Sequence, residues 1–198
     1  MAPALIAGGL CLGYGGYRSI QGLQFIDRPG PSKYDFGRTV NSLSVLIATH
    51  VAHKIEPNCT FKMTIEKPWF PDAEMHGKCS TREISGEVSL TLSGCSVKAT
   101  GESGSMKGTV DKSEWDWNIK QSGPDRWEIE RFLLKLDTTL NITVKDGKIT
   151  GTYDRPLAFD WSLEGTYDKE GNVDISVSTP LLCPNFKITG KIIPTNHK

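Results

Sequence analysis

Residues 148–171 read KITGTYDRPLAFDWSLEGTYDKEG, and Gly-Thr-Tyr-Asp occurs in them twice, fourteen residues apart. A third version, MKGTVDKSEWDWNI, occupies 106–119. The shared pattern is apolar-x-Gly-Thr-apolar-Asp, a connection, then apolar-Asp-apolar-x-apolar. A period of fourteen is too short for a helix pair and matches one strand plus one turn. The repeat therefore reads as consecutive β-hairpins.

Alternation then predicts the register, because a one-residue slip would move every apolar side chain to the wrong face. Asp146-Gly147 is a favoured two-residue turn. It sets Lys145 against Lys148, Val144 against Ile149, Ile142 against Gly151 and Leu140 against Tyr153. In the next hairpin a loop of Arg155-Pro156-Leu157 sets Tyr153 against Phe159, Gly151 against Trp161 and Ile149 against Leu163. In the last, Lys169-Glu170-Gly171 sets Tyr167 against Val173, Gly165 against Ile175 and Leu163 against Val177, with Gly171 left-handed. The 106–119 copy sets Val110 against Trp115 and Gly108 against Trp117. In two copies the motif glycine thus faces a tryptophan, an absent side chain making room for a large ring. The opposite face carries Thr150, Thr152, Ser162, Glu164, Thr166, Asp174 and Ser176, the polar side of a one-faced antiparallel sheet.

The same alternation runs outward from this stretch. Cys59, Phe61, Met63 and Ile65 share a face, as do Ile84, Val88, Leu90 and Leu92. A Ser93-Gly94 turn would return Cys95, Val97 and Ala99 along it. Apolar residues fall on odd positions at Trp127 and Ile129 but mainly on even positions over 132–145. A β-bulge near Arg131, or a short helix, reconciles the two. About ten strands in a meander exceed the usual open sheet, so the sheet should curl. The stretch NITVKDGKITGTY (141–153) is similar to strand pairs in avidin-like and other calycin-type barrels. That resemblance rests on turn chemistry and alternation over thirteen residues, and it transfers no ligand and no residue role.

One segment has helical periodicity. In RTVNSLSVLIATHVAHKIEP (38–57), Val40, Leu43, Leu46, Ile47, Val51 and Ile55 recur at three- and four-residue steps. Thr39 or Asn41 is a candidate cap, and Pro57 lies beyond the end. The expected fold is mainly β (α+β): an antiparallel meander curled into a barrel or half-barrel, with one amphipathic helix on or inside it. Residues 1–36 read as a Gly/Pro-rich segment and linker, and 37–198 as the helix plus β domain. The uncharged run Ala2–Tyr17 is short and Gly-rich for a membrane span, and no basic residue precedes it as in a secretory signal. An anchor, a signal, and a segment docked on a partner are the three readings.

Lys plus Arg and Asp plus Glu each total 23, so no basic excess points to nucleic acid. The motif residues Asp111, Asp154 and Asp168 fall where Asp bonds turn N–H groups, and no Asp-x-Asp-x-Asp-Gly loop marks a calcium site. Cys59, His76, Cys79 and Cys95 resemble a zinc set only through His76-x-x-Cys79; a disulfide or buried thiols fit better. His50 could serve a site or sit on the polar edge of the helix. Paired carboxylates could support acid–base work, but no triad, phosphate-loop or dinucleotide signature accompanies them. No metal and no cofactor are expected. The inward aromatics are the strongest candidates. Leu46, Phe61, Trp117, Tyr153, Trp161 and Tyr167 would line a site for an apolar small molecule or lipid held between sheet and helix. That predicts a non-enzymatic carrier. The alternatives are an interaction subunit docked through residues 1–26, and a hydrolase or isomerase using surface carboxylates. Two sequons, at Asn58 and Asn141, are too short a signal to assign a compartment.

Overall fold

A computed structural model describes residues 33–68, 71–89, 94–111, 116–131, 134–155, 159–180 and 184–195. Helix α1 (Lys33–Ile55) precedes twelve strands. These are β1 (Cys59–Glu66), β2 (Ala73–Ser80), β3 (Glu83–Val88), β4 (Cys95–Thr100), β5 (Lys107–Asp111) and β6 (Trp117–Gly123). There follow β7 (Arg126–Arg131), β8 (Leu134–Lys145), β9 (Lys148–Asp154), β10 (Trp161–Tyr167), β11 (Asn172–Ser178) and β12 (Phe186–Pro194). Every strand pairs antiparallel with its chain neighbours, and β1 closes on β12 from Cys59↔Pro194 to Glu66↔Lys187. The meander is therefore a closed barrel, which removes the free edges an open sheet would expose.

Alternation sets the two surfaces. In β1, Cys59, Phe61, Met63 and Ile65 are buried while Thr60, Lys62 and Glu66 are exposed. The same holds around the ring, so the lumen is apolar and the outer wall polar. Outside, Lys62–Glu74, Lys98–Glu83 and His76–Glu87 pair across neighbouring strands.

α1 lies inside the barrel. It packs against β1–β4 and β12 on one side and β8 on the opposite side of the ring. Its polar residues Asn41, Ser42, Ser44, Thr49 and His50 are as buried as Val40, Leu43, Leu46 and Val51. The expected amphipathic helix is thus enclosed on all sides. It also starts earlier than its periodicity indicates, at Lys33, so 33–36 belong to the helix and not to a linker. Ser32-Lys-Tyr-Asp35 is a Ser-x-x-Asp start signal that the prolines and glycines around it obscure. Thr39 and Asn41 are helix-interior residues rather than caps. Residues 1–32 lie outside the described residues.

The hairpins divide in their agreement with the register deduced above. The Asp146-Gly147 turn has both residues left-handed (φ 53° and 77°) and all four expected pairs form. Gly171 is left-handed (φ 82°), and Tyr167↔Val173, Gly165↔Ile175 and Leu163↔Val177 form. The other two hairpins differ by one pleat repeat. Trp161 opposes Tyr153 and Leu163 opposes Gly151; Trp117 opposes Val110 and Ile119 opposes Gly108. A two-residue shift keeps every side chain on its face, so alternation cannot distinguish the two registers. Arg155 closes the longer β9–β10 connection: its amide donates to Asp160 Oδ1 at 3.2 Å and its guanidinium to Phe159 O at 2.5 Å. Phe159 is consequently outside the strand and 54% exposed. Trp115 lies outside the described residues. Likewise Val88 pairs with Cys95, where a Ser93-Gly94 turn would set Cys95 against Leu92; residues 90–93 lie outside the described residues. The irregularity expected near Arg131 is present, as a register shift between Ile129 and Arg131.

The motif glycines answer to backbone approach. A Cβ at Gly108 would meet the carbonyl oxygen of Lys98, and one at Gly151 the carbonyl oxygen of Asn141. The ring-over-glycine arrangement exists elsewhere: Phe61 lies where a Cβ at Gly77 would be and approaches the corresponding position at Gly86.

Candidate functional site

The two ends of the barrel differ. At one end four of the five connections are short turns, at 81–82, 124–125, 146–147 and 168–171, with 101–106 the longer exception; at the other, most connections span five to seven residues, including 67–72, 155–160 and 179–185. α1 enters at the long-loop end, where Asn41 meets Lys67, and finishes at the short-turn end, where Lys54 Nζ pairs with Asp125 at 2.8 Å.

All six candidate lining residues point into the lumen. Leu46, Phe61, Trp117, Tyr153 and Trp161 are at most 3% exposed. Tyr153 and Trp161 come together as a T-shaped pair with centroids 5.5 Å apart, and Phe186 extends the cluster 6.0 Å from Trp161. Arg155 lies over Trp161 at 4.9 Å. Tyr167 does not join them. It is partly buried at the short-turn end, its amide donating to Gly147 O. Phe186 alternates with Ile188 and Ile192 in a period-two pattern that could have marked it, whereas Arg155 borders a connection and carries no periodic signal.

His50 occupies a polar contact in the lumen, not the edge of a helix face. The Trp127 indole donates to its Nδ1 at 3.1 Å, which leaves Nε2 to donate to Ile142 O at 3.2 Å. Burial lowers its pKa to about 4, so the ring is neutral and both nitrogens are engaged. A base for catalysis needs a free lone pair, and this tautomer has none.

The barrel wall divides the zinc-like set. His76 points outward to Glu87, while Cys59, Cys79 and Cys95 are buried inside. Among the described residues no cluster of three metal-ligating side chains occurs. Asp168 acts as the turn reading expects: its carboxylate accepts from the amides of Glu170 and Asn172 and from the Asn172 side chain. These bonds, the Asn172 side chain first, hold its carboxyl below the usual range. Asp154 instead reaches across strands to Asn141 Nδ2 at 2.9 Å.

Open space occurs at the long-loop rim, in a groove of about 520 Å³ between β11, β12 and the end of β1. Glu66, Ser176 and Lys187 line it from the outer wall, and Lys67, Pro68, Asp72, Asn185 and Phe186 from the rim. Lys67 is buried and donates to Asn41 Oδ1 at 3.0 Å. Burial depresses its pKa, with Asp72 opposing the shift. The groove therefore sets one aromatic side chain, Phe186, beside the charged Glu66, Lys67, Asp72 and Lys187, and its buried lysine ties it to α1. Comparison with models of protein families, with curated proteins and with solved structures found no match to this chain.

Proposed function

We propose that this protein is a non-enzymatic binding barrel that takes an apolar or lipid-like small molecule, not between sheet and helix, where the lumen is packed, but in the groove at its long-loop rim. The observation that carries this is the rim groove, open beside a filled lumen. α1 is buried on every side, so the inward aromatics are used in packing, and the rim groove is the space left beside them. Its volume lies within the range of small-molecule sites, and its lining of two apolar residues, Pro68 and Phe186, among six polar or charged ones suits an amphipathic ligand. The apolar part would rest on Pro68 and Phe186, and the polar head among Lys67, Lys187, Asp72 and Asn185.

Native mass spectrometry of the purified chain for co-purified lipid, with titration of a fluorescent fatty acid, tests the reading. Ser176→Trp would fill the groove from the outer wall without entering the core. The expected result is probe binding weakened tenfold or more in that variant. No co-purified lipid together with equal probe response in both proteins would remove the proposal.

A second reading draws on where the chain enters. Residues 1–32 join α1 at this same end, so an interaction subunit docked through residues 1–26 would also present the rim to its partner.

A further inference from the structure

Cys59 and Cys79 occupy directly opposed positions on β1 and β2, and both side chains face the lumen. Opposed residues of an antiparallel pair have Cα atoms about 4.5–5.5 Å apart, inside the roughly 4.4–6.8 Å that a disulfide spans. The two thiols are within hydrogen-bonding reach of each other. Each also contacts a carbonyl of the last turns of α1: Cys59 Sγ with Ala52 O and Cys79 Sγ with Thr49 O, both at 3.7 Å. The pair thus sits where helix, first strand and second strand meet. Among the described residues Cys95 opposes no cysteine. It opposes Val88, at the other end of the barrel.

We propose that Cys59 and Cys79 are a modification site: a cross-strand disulfide that forms when the chain folds with a low-molecular-weight disulfide present. The exchange balances as two protein thiols plus one small disulfide giving one protein disulfide plus two small thiols. Cys59 or Cys79 as thiolate attacks the small disulfide and releases one small thiol. The neighbouring thiol, losing its proton, then attacks the mixed disulfide and releases the second. Because both sulfurs are buried, and because the contact with Cys59 and then burial hold the Cys79 thiol well above its usual range, the exchange belongs to folding or to opening of the short-turn end. In reducing surroundings the same residues remain thiols packed on the helix carbonyls. The link would staple β2 to the strand that receives the chain from α1 and closes the barrel.

The full chain, unfolded in reductant and refolded with either oxidised or reduced glutathione, supplies the test. Free thiols are alkylated and the digest is mapped without reduction. The expected result after oxidative refolding is a peptide joining Cys59 to Cys79, with Cys95 alkylated, and a thermal midpoint above that of the reduced form. Cys95→Ser should keep the link, and Cys79→Ala should lose it. The wild-type map needs no variant, so a variant that does not fold leaves the test intact. Alkylated Cys59 and Cys79 after oxidative refolding would overturn the proposal. So would a link from either residue to Cys11, Cys95 or Cys183, or a midpoint at or below that of the reduced chain.

Discussion

His50 shows how a single side chain can look functional and be structural. By sequence His50 could serve a site or sit on the polar edge of the helix; the fold uses it to join α1 to β7 and β8 through Trp127 and the Ile142 carbonyl. Its neutrality has a consequence for stability. The native pKa is about 4 against an ordinary 6.5, so below pH 6.5 the unfolded chain takes up a proton that the folded chain refuses. The stability that depends on this group is present above pH 6.5 and declines as pH falls to about 4. At 1.36 kcal/mol per unit the loss reaches about 3 kcal/mol. His53 is shifted down by burial too, so it adds in the same direction. Urea unfolding between pH 7.5 and 4 should show this decline in the wild type. His50→Gln should be weaker at neutral pH yet lose less on acidification. Parallel curves for the two proteins would reject His50 as the group responsible. A histidine's neighbours, unlike its helix position, cannot be read from one sequence, because Trp127 and Ile142 are brought to it by strands far along the chain.

At the scale of elements, what was legible is what parity controls. Among the described residues, face assignments held in β1, β3, β4, β9–β11 and in β8 from Leu140 onward, because each side chain has only two choices and water selects one; Leu90 and Leu92 lie outside the described residues. Turns held where a left-handed residue fixes the loop, at Asp146-Gly147 and at Gly171. The registers of β5–β6 and β9–β10 were not legible. Loops that differ by one pleat repeat leave burial unchanged, and the hydrogen bonds from Arg155 that favour the longer one depend on two loop side chains, Asp160 and Arg155, with no periodic signature. The motif glycines were correctly read as structural, but their neighbour is backbone rather than a tryptophan ring. That makes a sharp prediction. A Cβ at Gly108 would run into the Lys98 carbonyl and stand 2.5 Å from Ala99 Cα, and neither strand can yield without disturbing the ladder. Gly108→Ala should therefore cost about 1–3 kcal/mol or more. Gly123, whose Cβ would meet nothing within 4 Å, is the control, and Gly123→Ala should change stability by no more than about 0.5 kcal/mol. Denaturant midpoints compare them directly. Equal midpoints for the two variants would mean that the close strand approach at Gly108 does not constrain the chain.

For the whole molecule, the helix decides what the barrel can do. Twelve strands closed around nothing would enclose a lumen that side chains alone do not fill, and α1 supplies the missing volume. The sequence showed a helix and a curled sheet but not this nesting. A helix buried on all sides and one buried on a single face both place Val40, Leu43, Leu46, Ile47 and Val51 inward. The difference lies in the fate of Asn41, Ser42, Thr49 and His50, and short polar residues do not reveal whether they meet water or a lumen wall. The same ambiguity governed the candidate site, since inward aromatics mark a cavity lining and a packed core alike. Leu46 separates these. It is fully buried at mid-helix. If it fills core volume, Leu46→Ala leaves a void and costs about 2–5 kcal/mol, while rim binding, measured under conditions where the variant remains folded, is unchanged. If it lines an occupied site, truncation costs little stability and instead alters ligand affinity. The packing around α1 predicts the first outcome, read as a lower urea midpoint with an unaltered probe titration. A small stability change accompanied by weakened binding would move the ligand from the rim into the lumen.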